Sequence, residues 1–347
     1  MADLQLLEKL CRAQGASGRE DEVRALILAE ISPLADEVSV DPMGNILVFK
    51  KGKQRAQKKV MLDAHMDEVA MTVTSVTEEG LLTYVNCGGI DARVQCGVAV
   101  QVGGAKLPGV IGIKPVHLCK KEEQETAPDE DSLYIDIGAR DKEDALRHVS
   151  SGDTACFAPY FEVIGTRAAG KALDNRAGCA VLIELLRQTP DYDLYFTFTV
   201  QEEIGLRGAK TAAYTVNPDA AITVETTTAA DIAGVKPDKQ ICALDDGAVL
   251  SFMDKRTVYD RAYYDEALAR AEALSIKAQP KRGVVGGNNA GAIHTSRGGV
   301  RTLAISLPCR YLHAPVGVIS LDDYDAVLRL VSACAADMAS EIYSQFT

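Results

Sequence analysis

Two adjacent carboxylates, Glu202 and Glu203, stand one residue after the apolar run Leu194-Tyr-Phe-Thr-Phe-Thr-Val200. That run is short, β-branched and aromatic, so it reads as a buried strand. Neighbouring residues leaving a strand end point in different directions. One carboxylate can then bind a metal while the other handles a proton. Alone, an acidic pair there is first of all a solvated turn, so the reading depends on further ligands. His65-Met-Asp67-Glu68 closes another apolar strand, Lys59 to Ala64. Residues i and i+2 share a face, which lets Asp67 orient His65 and fix its tautomer.

Three more candidates lie at comparable places. Asp174 precedes the apolar helical run Ala177–Arg187, as an N-cap or as a bridging metal carboxylate. Glu225 closes the predicted strand Ala220–Val224, and His313 follows the predicted strand Arg301–Leu307. Ligands bind at the carboxyl ends of strands in open α/β sheets. The set His65, Asp174, Glu203, Glu225 and His313 offers imidazoles and carboxylates without thiolate, which suits Zn²⁺, Co²⁺ or Mn²⁺. One bridging carboxylate with two ligands per ion describes a two-metal site. Glu202 is left over to take a proton from water and return it to a leaving amine. Such an assembly hydrolyses amides, as one constellation among several.

The surrounding elements read as α/β. Leu4, Leu7, Leu10 and Cys11 stripe an opening helix, and Ser17-Gly-Arg-Glu20 has capping-box spacing before the next one. Strands are predicted over 37–40 and 45–49, with Lys50–Lys59 as an exposed hairpin loop. From Val69 to about Tyr160 short alternating segments (69–76, 81–85, 94–102, 110–113, 133–137) are parted by Gly-rich turns, with Lys120–Asp131 as a charged loop. This predicts a helix-flanked, mixed-sheet domain over 1–68 and 162–347, with a small barrel-like β-rich domain inserted at 69–161. Helices are predicted over 207–215 and 259–274, and Ser320-Leu-Asp-Asp323 caps a last one.

Charge and composition narrow the function. The 347 residues carry a formal net charge of −12, and no apolar run approaches the ~20 residues of a membrane span, so neither nucleic acid nor membrane is an expected partner. Nine scattered cysteines without a C-x-x-C pair read as reduced thiols of a cytoplasmic protein. His117 and His148 have no carboxylate at ligand spacing and read as structural or surface residues.

His65-x-Asp67-Glu68, Ala172-Leu-Asp174-Asn175-Arg176-Ala-Gly178, Glu202-Glu203-Ile-Gly205-x-x-Gly208-Ala209 and Cys309-Arg-Tyr-x-His313-x-Pro315 resemble the tetrahedral aminopeptidase (glutamyl aminopeptidase, "cellulase M"-like) family of MH-clan co-catalytic metallopeptidases. The likeness runs in order over essentially the whole chain. It implies removal of N-terminal residues from short peptides with two divalent metal ions per subunit. Asp174 would bridge the ions, Glu203 and His313 would complete one, and His65 and Glu225 the other. Asp67 would support His65, and Glu202 would be the general base. The resemblance also implies a cis peptide after Asp174 and a homo-oligomer, a hollow dodecamer built from dimers whose contacts and substrate access the inserted domain shapes.

Two positions depart from that family. Glu225 stands where aspartate is common, and Asn288-Asn289 replaces Thr-Asp, which removes an acid expected near the pocket. An N-acyl amino acid deacylase and a decayed, self-assembling homologue are the competing readings. A glycan hydrolase fits less well, because Trp is absent and aromatics are 5%.

Overall fold

A computed structural model describes residues 2–340. The main sheet has eleven strands. Nine follow the order Glu37–Val40, Ile46–Lys50, Leu194–Thr199, Val60–His65, Ala220–Thr228, Arg301–Arg310, Gly317–Ser320, Arg167–Gly170, Phe161–Ile164. Ala248–Leu250 pairs onto Arg301–Arg310, and Ala278–Pro280 onto Ala248–Leu250. The four central strands, from Leu194–Thr199 to Arg301–Arg310, run parallel and the flanks antiparallel, so the sheet is mixed.

Side-chain alternation sets the layers. Val60, Leu62, Ala64, Phe196, Phe198, Ile222, Val224, Leu303 and Ile305 point to one face. Five helices (Leu4–Arg12, Asp21–Ile31, Leu173–Leu186, Arg261–Ala273, Leu321–Ala339) join them in one core. Each such buried Leu, Val or Phe stabilises by roughly 1.5–3 kcal/mol. The residues between them, Asp63, His65, Thr197, Thr199, Thr223 and Glu225, therefore share the opposite face. There the helices Arg207–Val216 and Ala290–Ile293 pack over Met61 and Ala221. That polar strip carries His65 and Glu225, two of the five candidate ligands.

Six further strands close a barrel in the order Ala70–Val76, Leu82–Cys87, Tyr134–Asp136, Leu107–Gly112, Ala99–Val102, Thr154–Phe157. It has its own apolar interior, with Val73, Leu82, Val100, Val102, Ile111, Ile135 and Phe157 buried together. Closure leaves no unpaired edge. The last barrel strand, Thr154–Phe157, is absent from the sequence reading, because Thr-Ala-Cys-Phe is too short to show a period. Within Lys120–Asp131 the segment Lys121–Glu125 is helical rather than loop.

Local expectations fail where a distant partner wins. Lys50–Lys59 does not close a hairpin, since Leu194–Thr199 inserts between the strands it joins and pairs with both. Ser17 forms no capping box: its hydroxyl donates to Asp67 Oδ2 at 2.6 Å, and the Asp21–Ile31 helix has no side-chain cap. Ser320 precedes the last helix but donates to Asp245 Oδ1 instead of capping it, while Asp323 accepts the amides of Asp245 and Gly247. The helix expected from Ala177 begins at Leu173, with non-helical backbone at Asp174 and Asn175. All nine cysteines are unpaired, and His117 and His148 are exposed, as read from the sequence.

Candidate metal centre

The structure brings all five ligand candidates together, although they lie up to 248 residues apart in the chain (His65 to His313). His65 Nε2 lies 3.2 Å from Asp174 Oδ1 and 3.4 Å from Glu225 Oε1. His313 Nε2 lies 3.3 Å from both Asp174 Oδ2 and Glu203 Oε2. Asp174 thus presents one oxygen to each imidazole.

Each side chain is placed by a specific backbone device. His65 ends the strand Val60–His65, and its Nδ1 is 3.3 Å from Asp67 Oδ1 and 3.2 Å from the Asp67 carbonyl oxygen. Asp67, fully buried, also accepts the amides of Glu202 at 2.9 Å and Glu203 at 3.2 Å. One carboxylate thereby fixes the histidine and the acidic pair together. The turn carrying that pair closes tightly, since a Cβ on Gly208 would meet the Val200 carbonyl oxygen at 2.3 Å. Asn45 braces it by accepting from the Val200 amide and donating to Gly208 O.

Asp174 is followed by a cis peptide, Asp174–Asn175, as the resemblance implied. Asn175 Nδ2 donates to Val224 O, tying this junction to the strand beside Glu225. Glu225 itself sits within its strand rather than at the end, because Thr226–Thr228 continue pairing with Leu307–Cys309. His313 has φ of 60°, and its Nδ1 lies 2.9 Å from Gly89 O, a carbonyl of the inserted segment.

Beneath the centre, Glu68 (2% exposed) accepts from Lys171 Nζ at 2.7 and 2.6 Å and from Arg176 at 3.1 Å. Lys171 and Arg176 are themselves at most 1% exposed, and they also donate to carbonyls of Ala13, Leu10 and Met66. The sequence reading gave none of these residues a part in the site: Arg176 stood only within a motif and Ser17 only as a helix cap. Their partners are too remote in the chain for spacing to reveal them. Asn289 is fully buried and donates at 2.8 Å to both Asp63 Oδ2 and Thr199 Oγ1. It therefore braces the polar strip from the side of the helix Ala290–Ile293, instead of altering the charge of an open pocket.

The donor chemistry fits divalent cations. Nitrogen and oxygen donors of His65, Asp174 and Glu225, and of Asp174, Glu203 and His313, lie within 4.8 Å of one another. Among the described residues Glu203 Oε1 and Glu225 Oε2 are buried without a hydrogen-bond partner, a costly state unless a ligand takes them. Acid also exceeds cation here. Burial, then the Asp174 charge, pushes Glu203 up to about 8, and burial pushes Glu225 up to about 7. Burial opposes ionisation of Asp174 as well, but His313 and His65 hold it below the usual carboxylate range.

A profile described as M42 glutamyl aminopeptidase matches residues 44–330, most of the chain. The protein belongs to the M42 glutamyl aminopeptidase family. Among M42 relatives, the lysyl aminopeptidase of Pyrococcus furiosus is 30% identical over 97% of this chain and 98% of its own. The crystal structure of a TET aminopeptidase from a marine sediment Thaumarchaeota archaeon superposes with a TM-score of 0.94, at 34% identity over 99% of this chain and 98% of that one. A Pyrococcus horikoshii TET1 peptidase, described as assembling into a tetrahedron or a large octahedral shell, gives 0.83 at 34% identity over 95% and 98%. The M42 fold, a mixed α/β sheet with a closed barrel, is thus shared along nearly the full chain. The family likeness read from the four motifs holds.

Proposed function

We propose that this M42 protein is a dinuclear metallo-aminopeptidase that removes N-terminal residues from short peptides. The observation that carries the reading is the pair of donor groups sharing Asp174, each within 4.8 Å. His65 and Glu225 would hold one divalent ion, Glu203 and His313 the other, and Asp174 both. Zn²⁺ or Co²⁺ suits this nitrogen and oxygen set, with Mn²⁺ also accommodated. When bound, such ions supply Lewis acidity that makes a water acidic and stabilises the developing oxyanion of an attacked amide.

The chain's own residues do the rest. Glu202 takes the proton of the attacking water and hands it to the departing nitrogen. Burial raises its carboxyl well above the ordinary value, with the Glu203, Glu225 and Asp67 charges adding to that and His65 opposing it, so it is suited to receive a proton. Asp67 holds His65 by its Nδ1 and fixes the main chain of the acidic pair.

Residues 1–68 and 162–347 form the catalytic unit in this reading, and 69–161 the unit governing dimer contact and access. The separate apolar interiors support the division. The likeness to the P. horikoshii peptidase supports a homo-oligomer, taken here as a dodecamer. Nine unpaired cysteines support a reducing compartment, the cytoplasm.

The test is to strip the protein with a chelator, reload it separately with Zn²⁺, Co²⁺ and Mn²⁺, and assay aminoacyl p-nitroanilides. Activity returns with metal, and Glu202→Gln lowers kcat by roughly 10²–10⁴-fold while metal content is kept. A reloaded wild type inert toward free N-termini but active on N-acyl amino acids would overturn the reading.

A further inference from the structure

Just beyond the strand Leu194–Thr199, four successive main-chain amides are each held by a side chain from a distant part of the chain. Val200 donates to Asn45 Oδ1, Gln201 to Glu20 Oε1 at 3.2 Å, Glu202 to Asp67 Oδ1 and Glu203 to Asp67 Oδ2. Asn45 braces the turn and Asp67 grips the acidic pair, which leaves Glu20 holding the residue between. Glu20 is 3% exposed and stands at the entry to the helix Asp21–Ile31, yet its carboxylate makes no cap there. Its Oε1 takes the Gly18 amide at 2.7 Å as well.

Gln201 is where the backbone turns out of the sheet. Its φ is 56°, in the left-handed region that a residue with a Cβ enters only at a cost. The hydrogen bond from Glu20 fixes the peptide plane before Gln201, and the one from Asp67 Oδ1 fixes the plane after it. The left-handed conformation is thus clamped from both sides. The first side chain beyond the clamp is Glu202, whose carboxylate has an oxygen within 4.8 Å of donor atoms of His65 and Glu203. Releasing the Glu20 side lets Gln201 relax toward the common backbone regions and swings Glu202 off that spot. Glu203, one residue further on, keeps the second oxygen of Asp67.

We propose that Glu20 is a positioning residue for the general base: by holding the Gln201 amide it keeps the left-handed turn that aims Glu202. The proposal rests on the aminopeptidase reading, in which Glu202 moves the proton. The hydrogen bonds of Glu20 go to Gly18 and Gln201 and to none of the five prospective ligands, so its loss acts on proton transfer rather than on metal. Burial pushes its carboxyl up to about 7, against the pull of the Gly18 amide. An uncharged oxygen acceptor of the same shape is therefore a close replacement.

The experiment measures kcat, KM and Zn²⁺ affinity in wild type, Glu20→Met, Glu20→Gln and the double variant Glu20→Met/Gln201→Gly, on the aminoacyl p-nitroanilide that the wild type cleaves fastest. Methionine keeps the length and removes the acceptor. In Glu20→Met kcat falls about 10- to 100-fold, the scale of a small misplacement of a reacting group, while KM and Zn²⁺ affinity stay within about threefold. Glu20→Gln keeps most of kcat. Glycine enters the left-handed region freely, so the double variant recovers part of the loss, a rescue that a role in stability alone does not produce. If Glu20→Met does not fold, Glu20→Asp, one methylene too short to reach Gln201, takes its place with the same expectations. Unchanged kcat in Glu20→Met, or a Glu20→Gln variant as slow as it, overturns the assignment. A parallel fall of kcat and Zn²⁺ affinity overturns it too, by making Glu20 a support of the metal ligands. Hydrogen exchange of the amides of residues 200–203 reads the clamp without turnover. Should the protein hydrolyse nothing, faster exchange there in Glu20→Met but not in Glu20→Gln still upholds the clamp, and unchanged exchange in Glu20→Met sinks it.

Discussion

His313 Nδ1 lies 2.9 Å from the carbonyl oxygen of Gly89. One prospective ligand, in the turn joining two strands of the main sheet, is therefore aimed by backbone from the barrel segment. Gly88, just before it, has φ of 94°, and a Cβ there would meet Val69 Cγ1 at 2.7 Å and Glu203 Cβ at 3.3 Å. Gly88→Ala is expected to shift the Gly89 carbonyl and weaken metal retention about 10- to 100-fold, the range seen when a ligand's supporting hydrogen bond is lost. Competition with a chelating dye measures it; unchanged retention in a folded variant would refute the role of Gly89.

Asp67 offers a sharper case, because a single carboxylate faces His65 Nδ1 and accepts the Glu202 and Glu203 amides and the Ser17 hydroxyl. Asp67→Asn keeps the volume but replaces an acceptor oxygen by a donor. Metal affinity should fall about 10- to 100-fold, with kcat reduced further than affinity alone explains, since Glu202 loses its main-chain anchor. Titrating activity against free Zn²⁺ separates the two effects.

Glu68 neutralises two buried cations at once. Glu68→Ala leaves Lys171 and Arg176 unpaired in the interior, a change of about 3–5 kcal/mol for breaking a buried pair from one side. Denaturant midpoints should drop accordingly, and Glu68→Gln should recover only part of the loss. Equal stability of Glu68→Ala and wild type would show that the cluster does not hold the fold.

Burial pushes the Asp323 carboxyl up to about 6, against about 3.9 in an unfolded chain. Between those values the folded state binds the extra proton. Its contribution is thus complete below about pH 4 and is lost as pH rises through about 6, by at most ~2–3 kcal/mol. Asp323→Asn cannot ionise, so relative to wild type it should gain stability between pH 4 and 7, despite losing one acceptor for the Asp245 and Gly247 amides. Urea melts at both pH values check the sign.

Much of this architecture was legible because chemistry and period coincide in it. An apolar strand running into His65-x-Asp67, and a second running into Glu202-Glu203, announce both the strand and what stands at its end. The sheet order was not legible. Pairing of Leu194–Thr199 between Ile46–Lys50 and Val60–His65 is a long-range choice that neither flanking sequence encodes alone. Glu225 looked terminal because three threonines follow it, yet β-branched threonines extend a strand well. Ser17 and Ser320 carried good local capping signals that were outcompeted by Asp67 and Asp245 across the fold.

The amide at position 289 leaves a different kind of mark. Its nitrogen serves Asp63 and Thr199 as a donor in acid and in alkali alike. A carboxyl in that place would confront Asp63 and could satisfy it only while one of the two stayed neutral. The amide thus spares this spot a proton shared between two carboxyls, and leaves Asp63, which burial pushes up to about 6, as the one acid there whose charge follows the buffer.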